Sequence, residues 1–142
     1  MRKITLALLL STATCSHARA GGSDLIMKQA LFCSGLAAGI YALNSTEPAE
    51  KIADAAFDKC ICLWRKQARS VLTDLKGNPN LGPSETEIVA LARKQVDPGL
   101  ISTALDARIH NWPISSSEMR NLLSRVDGLV SSCEVAQRSR PE

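Results

Sequence analysis

Apolar residues recur every three or four positions through most of this chain, and no segment alternates with period two over a useful length. That spacing predicts helices and no strands. A first helix is expected over residues 24–43, with Ser23 as its N-cap. It is apolar nearly all round, interrupted mainly by Lys28 and Gln29, which suits the middle of a bundle. These polar residues and the short length argue against a membrane span. Gly35, Ala38, Gly39 and Ala42 share one face, where small side chains let a neighbouring helix approach closely. In lipid the same pattern would be a dimerisation face, so homo-oligomerisation stays open.

After a short link at residues 44–46, Glu47 and Pro48 open a second helix, where an early proline is tolerated and an acid suits the helix dipole. Its apolar stripe is Ala53, Ala56, Phe57, Cys60, Leu63, Trp64, Val71 and Leu75, opposite Lys51, Asp58, Arg65, Lys66 and Arg69. No Gly or Pro breaks it before Gly77. A straight helix over 47–76 would measure about 45 Å. A compact domain of this size is only about 35 Å across, so the helix must bend or project.

Residues 77–83, rich in Gly, Pro and Asn, form a loop. Ser84 and Glu87 make a capping box for a third helix carrying Ile88, Leu91 and Ala92. Asp97-Pro98 is expected to restart the chain as cap and first-turn proline. The fourth helix then carries Ile101, Ala104, Leu105 and Ile109 and stops before Trp112-Pro113. Ser115 and Glu118 form a second capping box, ahead of the stripe Met119, Leu122, Leu123, Val126, Leu129, Val130 and Cys133. The polar tail from Gln137 is expected to fray. The fold class is all-α: a compact bundle of about five helices in one domain over residues 21–142.

The N-terminus has a different character. Arg2 and Lys3 precede an apolar run over residues 4–10, and Ala18-Arg19-Ala20 places small residues where a signal peptidase reads. Residues 1–20 are therefore expected to be a secretory signal cleaved between Ala20 and Gly21. The apolar run is too short for a permanent anchor. Lipid attachment at Cys15 is the less favoured reading, because Thr14 and Thr12 replace the small residue and leucine of a lipoprotein signal.

Cleavage changes the charge. The chain has 17 Lys+Arg and 14 Asp+Glu, and the signal removes Arg2, Lys3 and Arg19 but no acid, leaving 14 of each. The basic balance belongs to the targeting segment and does not point to nucleic acid or an acidic substrate. The expected location is periplasmic or secreted, with no integral membrane span after cleavage.

Four of the five cysteines remain after cleavage: Cys33, Cys60, Cys62 and Cys133. In a small exported chain they imply two disulfides, with three connectivities to choose from. If the first two helices are antiparallel, Cys33 and Cys60 lie roughly 17 and 21 Å from the turn, on inward stripes. That favours Cys33–Cys60, leaving Cys62–Cys133. The alternative, Cys33–Cys62 with Cys60–Cys133, places Cys133 better but requires the second helix to rotate or bend.

Few residues suggest chemistry. Cys60-Ile61-Cys62 could be a redox or metal pair, but on a helix residues two apart point about 160° away from each other, and structural cysteines bound elsewhere are the commoner outcome. His110, the one histidine beyond the signal, lies at a helix end and lacks any motif naming a nucleophile or an orienting acid. Asp54 and Asp58 lie one turn apart, as paired carboxylates can, but among basic residues they read as surface ion pairs. Lys59, Arg65, Lys66 and Arg69 make a candidate interaction face that is more often simply solvated. No catalytic, cofactor or metal site is expected.

The segment Cys33-Ser34-Gly35-Leu36-Ala37-Ala38-Gly39-Ile40-Tyr41-Ala42 resembles a helix of small periplasmic immunity proteins of the Tai type. The resemblance covers ten residues, and the sequence after them departs from it. The leading expectation is an exported non-enzymatic bundle that binds another protein as inhibitor, immunity factor, chaperone or envelope accessory subunit. A small enzyme using carboxylates or His110, and a thiol-redox or metal-handling protein using Cys60 and Cys62, are the alternatives.

Overall fold

In the computed structural model, which describes residues 2–75 and 82–139 with side chains from residue 22 onward, the helical periodicity resolves into five helices. They are α1 (Arg2–Asn44), α2 (Ala49–Lys59), α3 (Ile61–Asp74), α4 (Glu85–His110) and α5 (Ser116–Arg138), with no strand among the described residues. The bundle is all-α. It is divided differently from the expectation at three places.

The first difference is the start of α1. Ser23 lies inside the helix and caps nothing, because the backbone is helical from Arg2 onward. Cys15 and the Ala20–Gly21 junction fall where side chains lie outside the described residues. From Gly22 to Asn44 the helix is long and apolar enough to cross a membrane, so its length does not argue against a span. One face of that segment, however, is core: Ala30, Cys33, Ala37, Ala38 and Ile40 are fully buried. Packing against α2, α3, α4 and α5 makes α1 the central element.

The small-residue face of α1 works differently from the expected helix-to-helix contact. At Gly39 the close neighbour is the Trp112 indole, from the link between α4 and α5, and a methyl group there would overlap the ring. At Gly35 a methyl group would meet open space. Glycine within a helix ordinarily costs up to about 1 kcal/mol relative to alanine. Gly35→Ala should therefore raise stability by about 0.5–1 kcal/mol, whereas Gly39→Ala should lower it by about 1–3 kcal/mol through overpacking. Denaturant unfolding of the two variants checks the opposite signs.

The second difference is the predicted long helix, which bends. Cys60 leaves helical geometry at φ −101° and ψ 17°, and its N–H bonds to Phe57 O at 3.1 Å and Ala56 O at 3.4 Å. Before and after this break, Ala53, Ala56, Phe57, Cys60, Leu63 and Trp64 are all buried. Further along, Val71 is only half-buried and Leu75 is 58% exposed, so the apolar stripe outlasts the core.

The third difference is at Pro98, which lies inside α4 and does not begin a new helix. Proline lacks the N–H for one backbone bond and usually kinks a helix at about 3 kcal/mol. Here buried Leu100, Ala104 and Ala107 hold the helix onto the bundle beyond it. The α4 termini form as expected. Ser84 Oγ accepts from Glu87 N at 3.1 Å and Glu87 Oε2 from Ser84 N at 3.2 Å, while Asn111 closes the other end in the left-handed region at φ 46°. Of the α4 apolar residues expected inside, Leu91, Leu105 and Ile109 are exposed.

Ser115 caps α5, its Oγ accepting from Glu118 N at 3.2 Å, but only this half of the expected Ser115–Glu118 capping box forms. It runs through Arg138, past the expected frayed point. Gln137 is helical and its Nε2 donates to Cys62 O at 3.4 Å. At the other end of the bundle, Arg108 of α4 closes α1, donating from Nε to Ala42 O at 3.0 Å and from Nη2 to Ser45 O at 2.6 Å. These donors satisfy carbonyls that the end of a helix would otherwise leave open. Between the two ends, the Phe57 and Trp64 rings stack at 5.1 Å, and Trp64 Nε1 donates to Ser34 Oγ at 2.9 Å inside the core.

Candidate functional site

The bend at Cys60 decides where the cysteines go. In an unbroken helix Cys62 would face the charged side. After the break it is buried at 6% exposure. Cys33 is bonded to Cys60 and Cys62 to Cys133, each with Cα atoms 6.1 Å apart. The two bridges leave the same corner in different directions, one to α1 and one to α5. Cys60 and Cys62 are thus neither joined to each other nor free as thiols. Among the described residues, no group of three or more His, Cys, Asp or Glu is placed to hold a metal ion.

The paired acids of α2 are held by α4. Arg93 lies 3.4 Å from Asp54 through Nη1, bonds Asp58 through Nη2, and rests its guanidinium 4.4 Å from the Phe57 ring centroid. A guanidinium shared by both carboxylates suits a helix-to-helix clamp better than acid–base chemistry.

The proposed basic face is also partly used within the fold. Lys59 lies before the bend and pairs with Asp127 of α5 at 2.8 Å. Arg69 Nε lies 3.2 Å from Glu85 Oε2, close enough for an ion pair but misaligned for a hydrogen bond. Arg65 is exposed and Lys66 half-exposed. The four therefore do not form one free cationic surface.

The hydrogen bond to Asp127 is the main cause that raises the Lys59 pKa above its ordinary value; burial opposes it, and the nearby charge of Asp127 adds to the rise. Because the folded-state value is raised, the pair's contribution is complete below the unfolded lysine pKa and disappears as pH rises through the folded one. Side-chain exposures of 36% and 60% limit that contribution. Stability of wild type relative to Asp127→Asn should therefore stay constant from pH 6 to 9 and converge only in strongly alkaline solution. Unfolding across that range checks it.

His110 does have an acid beside it. Its Nδ1 lies 2.8 Å from Asp106 Oδ1, and Asp106 Oδ2 accepts from Trp112 Nε1 at 3.1 Å. The spacing of Asp106 and His110, i to i+4 on a helix, could have indicated this contact. The pair resembles the orienting half of a catalytic dyad, but its side chains are 69% and 55% exposed. The pair is thus open to water, whereas acid–base catalysis at a protein site usually works where water is excluded.

A feature that periodicity did not reveal lies just beyond the middle of α1. Leu25, Met27, Leu31 and Phe32 are exposed by 58, 39, 42 and 46%. By helical angle they occupy one broad arc, opposite the buried Ala30, Cys33 and Ala37. Where this arc meets α5, a groove of about 520 Å³ opens, with Phe32 on one wall and Arg125, Gly128, Leu129 and Ser132 on the other. The Arg125 guanidinium stands 5.6 Å from the Phe32 ring centroid.

No protein-family model, curated protein or solved structure matches this chain. The disulfides and the apolar N-terminal helix are compatible with export.

Proposed function

We propose that the protein is exported, loses residues 1–20, and acts in the periplasm or outside the cell as a non-enzymatic helical bundle that binds another protein. The observation that carries this reading is the exposed apolar arc Leu25, Met27, Leu31 and Phe32 on the central helix. The four apolar residues flank the Asp24–Lys28 pair on both sides, and large apolar side chains left exposed together around polar ones are characteristic of interaction sites. The Cys33–Cys60 bridge supports it by tying the helix that presents the arc to the α2–α3 bend. An inhibitor, immunity factor, chaperone or envelope accessory subunit would each use such a surface.

N-terminal sequencing of the exported protein should begin at Gly21, and a mature form beginning at lipid-modified Cys15 would overturn that part of the proposal. Affinity capture from the native envelope with the oxidised protein should retain a specific partner, identified by mass spectrometry. Leu31→Asp should abolish its retention. A retained protein indifferent to that change would not be bound through the arc.

A second reading, a small exported enzyme built on His110, draws on the 2.8 Å contact with Asp106. It predicts a hydrolytic activity abolished by His110→Ala and unaffected by Leu31→Asp.

A further inference from the structure

We propose that the groove between α1 and α5 receives an amphipathic helix of the partner protein, one whose apolar face is flanked by acidic residues. This rests on the protein-binding reading above and specifies the site and the chemistry of the ligand. The groove is apolar at its wall, where Phe32 is 46% exposed. On the α5 side its floor is small. A side chain at Gly128 would meet no atom within 4 Å, and Ser132 follows one turn later. An incoming helix can therefore approach α5 closely while laying a large apolar residue against Phe32, the usual arrangement of helix-in-groove recognition.

The charges select the flanking residues. Lys28 and Arg125 both line the groove, and among the described residues no carboxylate does. Arg125 is exposed, lies beside the Phe32 ring and has no carboxylate partner among the described residues. Lys28 is 3.4 Å from Asp24, but that exposed i,i+4 pair is of the kind that contributes little and exchanges readily. An Asp or Glu beside the apolar anchor would meet the planar guanidinium, which suits two-point recognition of a carboxylate.

The same charges argue against a second copy of this chain. A two-fold interface sets the same patch against itself, so Lys28 and Arg125 would face their own counterparts. The signal segment is equally unsuited, since it carries Arg2, Lys3 and Arg19 and no acid.

Selection from a displayed library of 16-residue amphipathic helices, with fixed Leu/Phe anchors and randomised flanking positions, tests this on the oxidised protein. Peptides recovered on wild type should be enriched in Asp and Glu by at least threefold over the starting library. On Arg125→Glu the preference should reverse toward Lys and Arg. A synthetic peptide from the wild-type selection should bind at least tenfold more weakly to Arg125→Glu and to Phe32→Ala in fluorescence anisotropy. Both changed side chains are exposed, and unaltered circular dichroism melts would show that the fold is intact. Recovery of peptides without acidic bias, or equal binding by the variants, would overturn the proposal. So would binding to vesicles containing anionic lipid with no selected peptide. An envelope protein captured equally by wild type and Arg125→Glu would overturn the groove assignment while leaving the protein-binding reading intact.

Discussion

Removing the Cys62–Cys133 bridge by replacing both residues with alanine is expected to lower stability by about 4 kcal/mol. The bridge closes a loop with a sequence separation of 71 residues. In the chain-entropy account, opening a loop of that size frees about 4.4 kcal/mol of unfolded-state entropy. The Cys33–Cys60 bridge closes a separation of 27 residues, and its loss should cost less, about 3.6 kcal/mol on the same basis. The two loops follow one another without overlap, so the costs should add. Losing both would remove about 8 kcal/mol, more than many domains of this size possess. Alanine is the better probe than serine, because both sulfurs of the longer bridge are in residues at most 6% exposed and a buried hydroxyl would add its own penalty. Denaturant unfolding of the two double variants measures the effect. A larger loss for the shorter loop would show that native packing around the bridges, and not unfolded-chain entropy, dominates.

Trp64→Ala should cost about 3–5 kcal/mol, the range for truncating a large buried aromatic. Trp64 is 1% exposed, stacks on Phe57 and is among the largest fully buried side chains. Its indole N–H is satisfied only by reaching across to Ser34 of α1, itself fully buried. Ser34→Ala would leave that donor without its partner at about 1–3 kcal/mol. Once Trp64 has gone, the serine hydroxyl has lost its donor, so the double variant should be less destabilised than the sum of the singles. That coupling separates the hydrogen bond from the packing term. A simple sum would mean that the two residues act independently despite the 2.9 Å contact.

Several interactions were legible from residue spacing because they are local. The Ser84–Glu87 capping box depends on four consecutive residues and forms with both hydrogen bonds. The close of α4 before Trp112-Pro113 is similarly local, as is the helical period that gives the all-α class. Even the approach of Cys33 to Cys60 follows from two helix lengths and a short turn, since an antiparallel pair brings residues at similar distance from the turn together.

Local pattern said less about how the helices are divided and which faces are covered. Nothing in the residue types around Cys60 announces a helix break, because Lys, Cys, Ile and Cys are all compatible with a helix. The break places both Cys60 and Cys62 in the interior, each against a different helix, which no straight segment could do. Pro98 is the converse: a residue that commonly ends a helix is held inside α4 by packing on either side. His110 and Asp106 meet across one helical turn, yet whether that pair sits in a cleft or in open water depends on elements far away in the chain.

The amino-acid sequence by itself determined the helices, most of their ends and the inward positions of the longest stripes, because these depend on backbone hydrogen bonding and on contacts within one or two turns. Only the tertiary structure decided that one arc of an almost uniformly apolar helix stays uncovered and that a groove with unpaired Arg125 lies beside it. Leu25 and Phe32 have the same hydrophobicity whether another helix covers them or not. Coverage depends on where α3 and α5 come to lie, and those positions are set by long-range packing and by the two bridges.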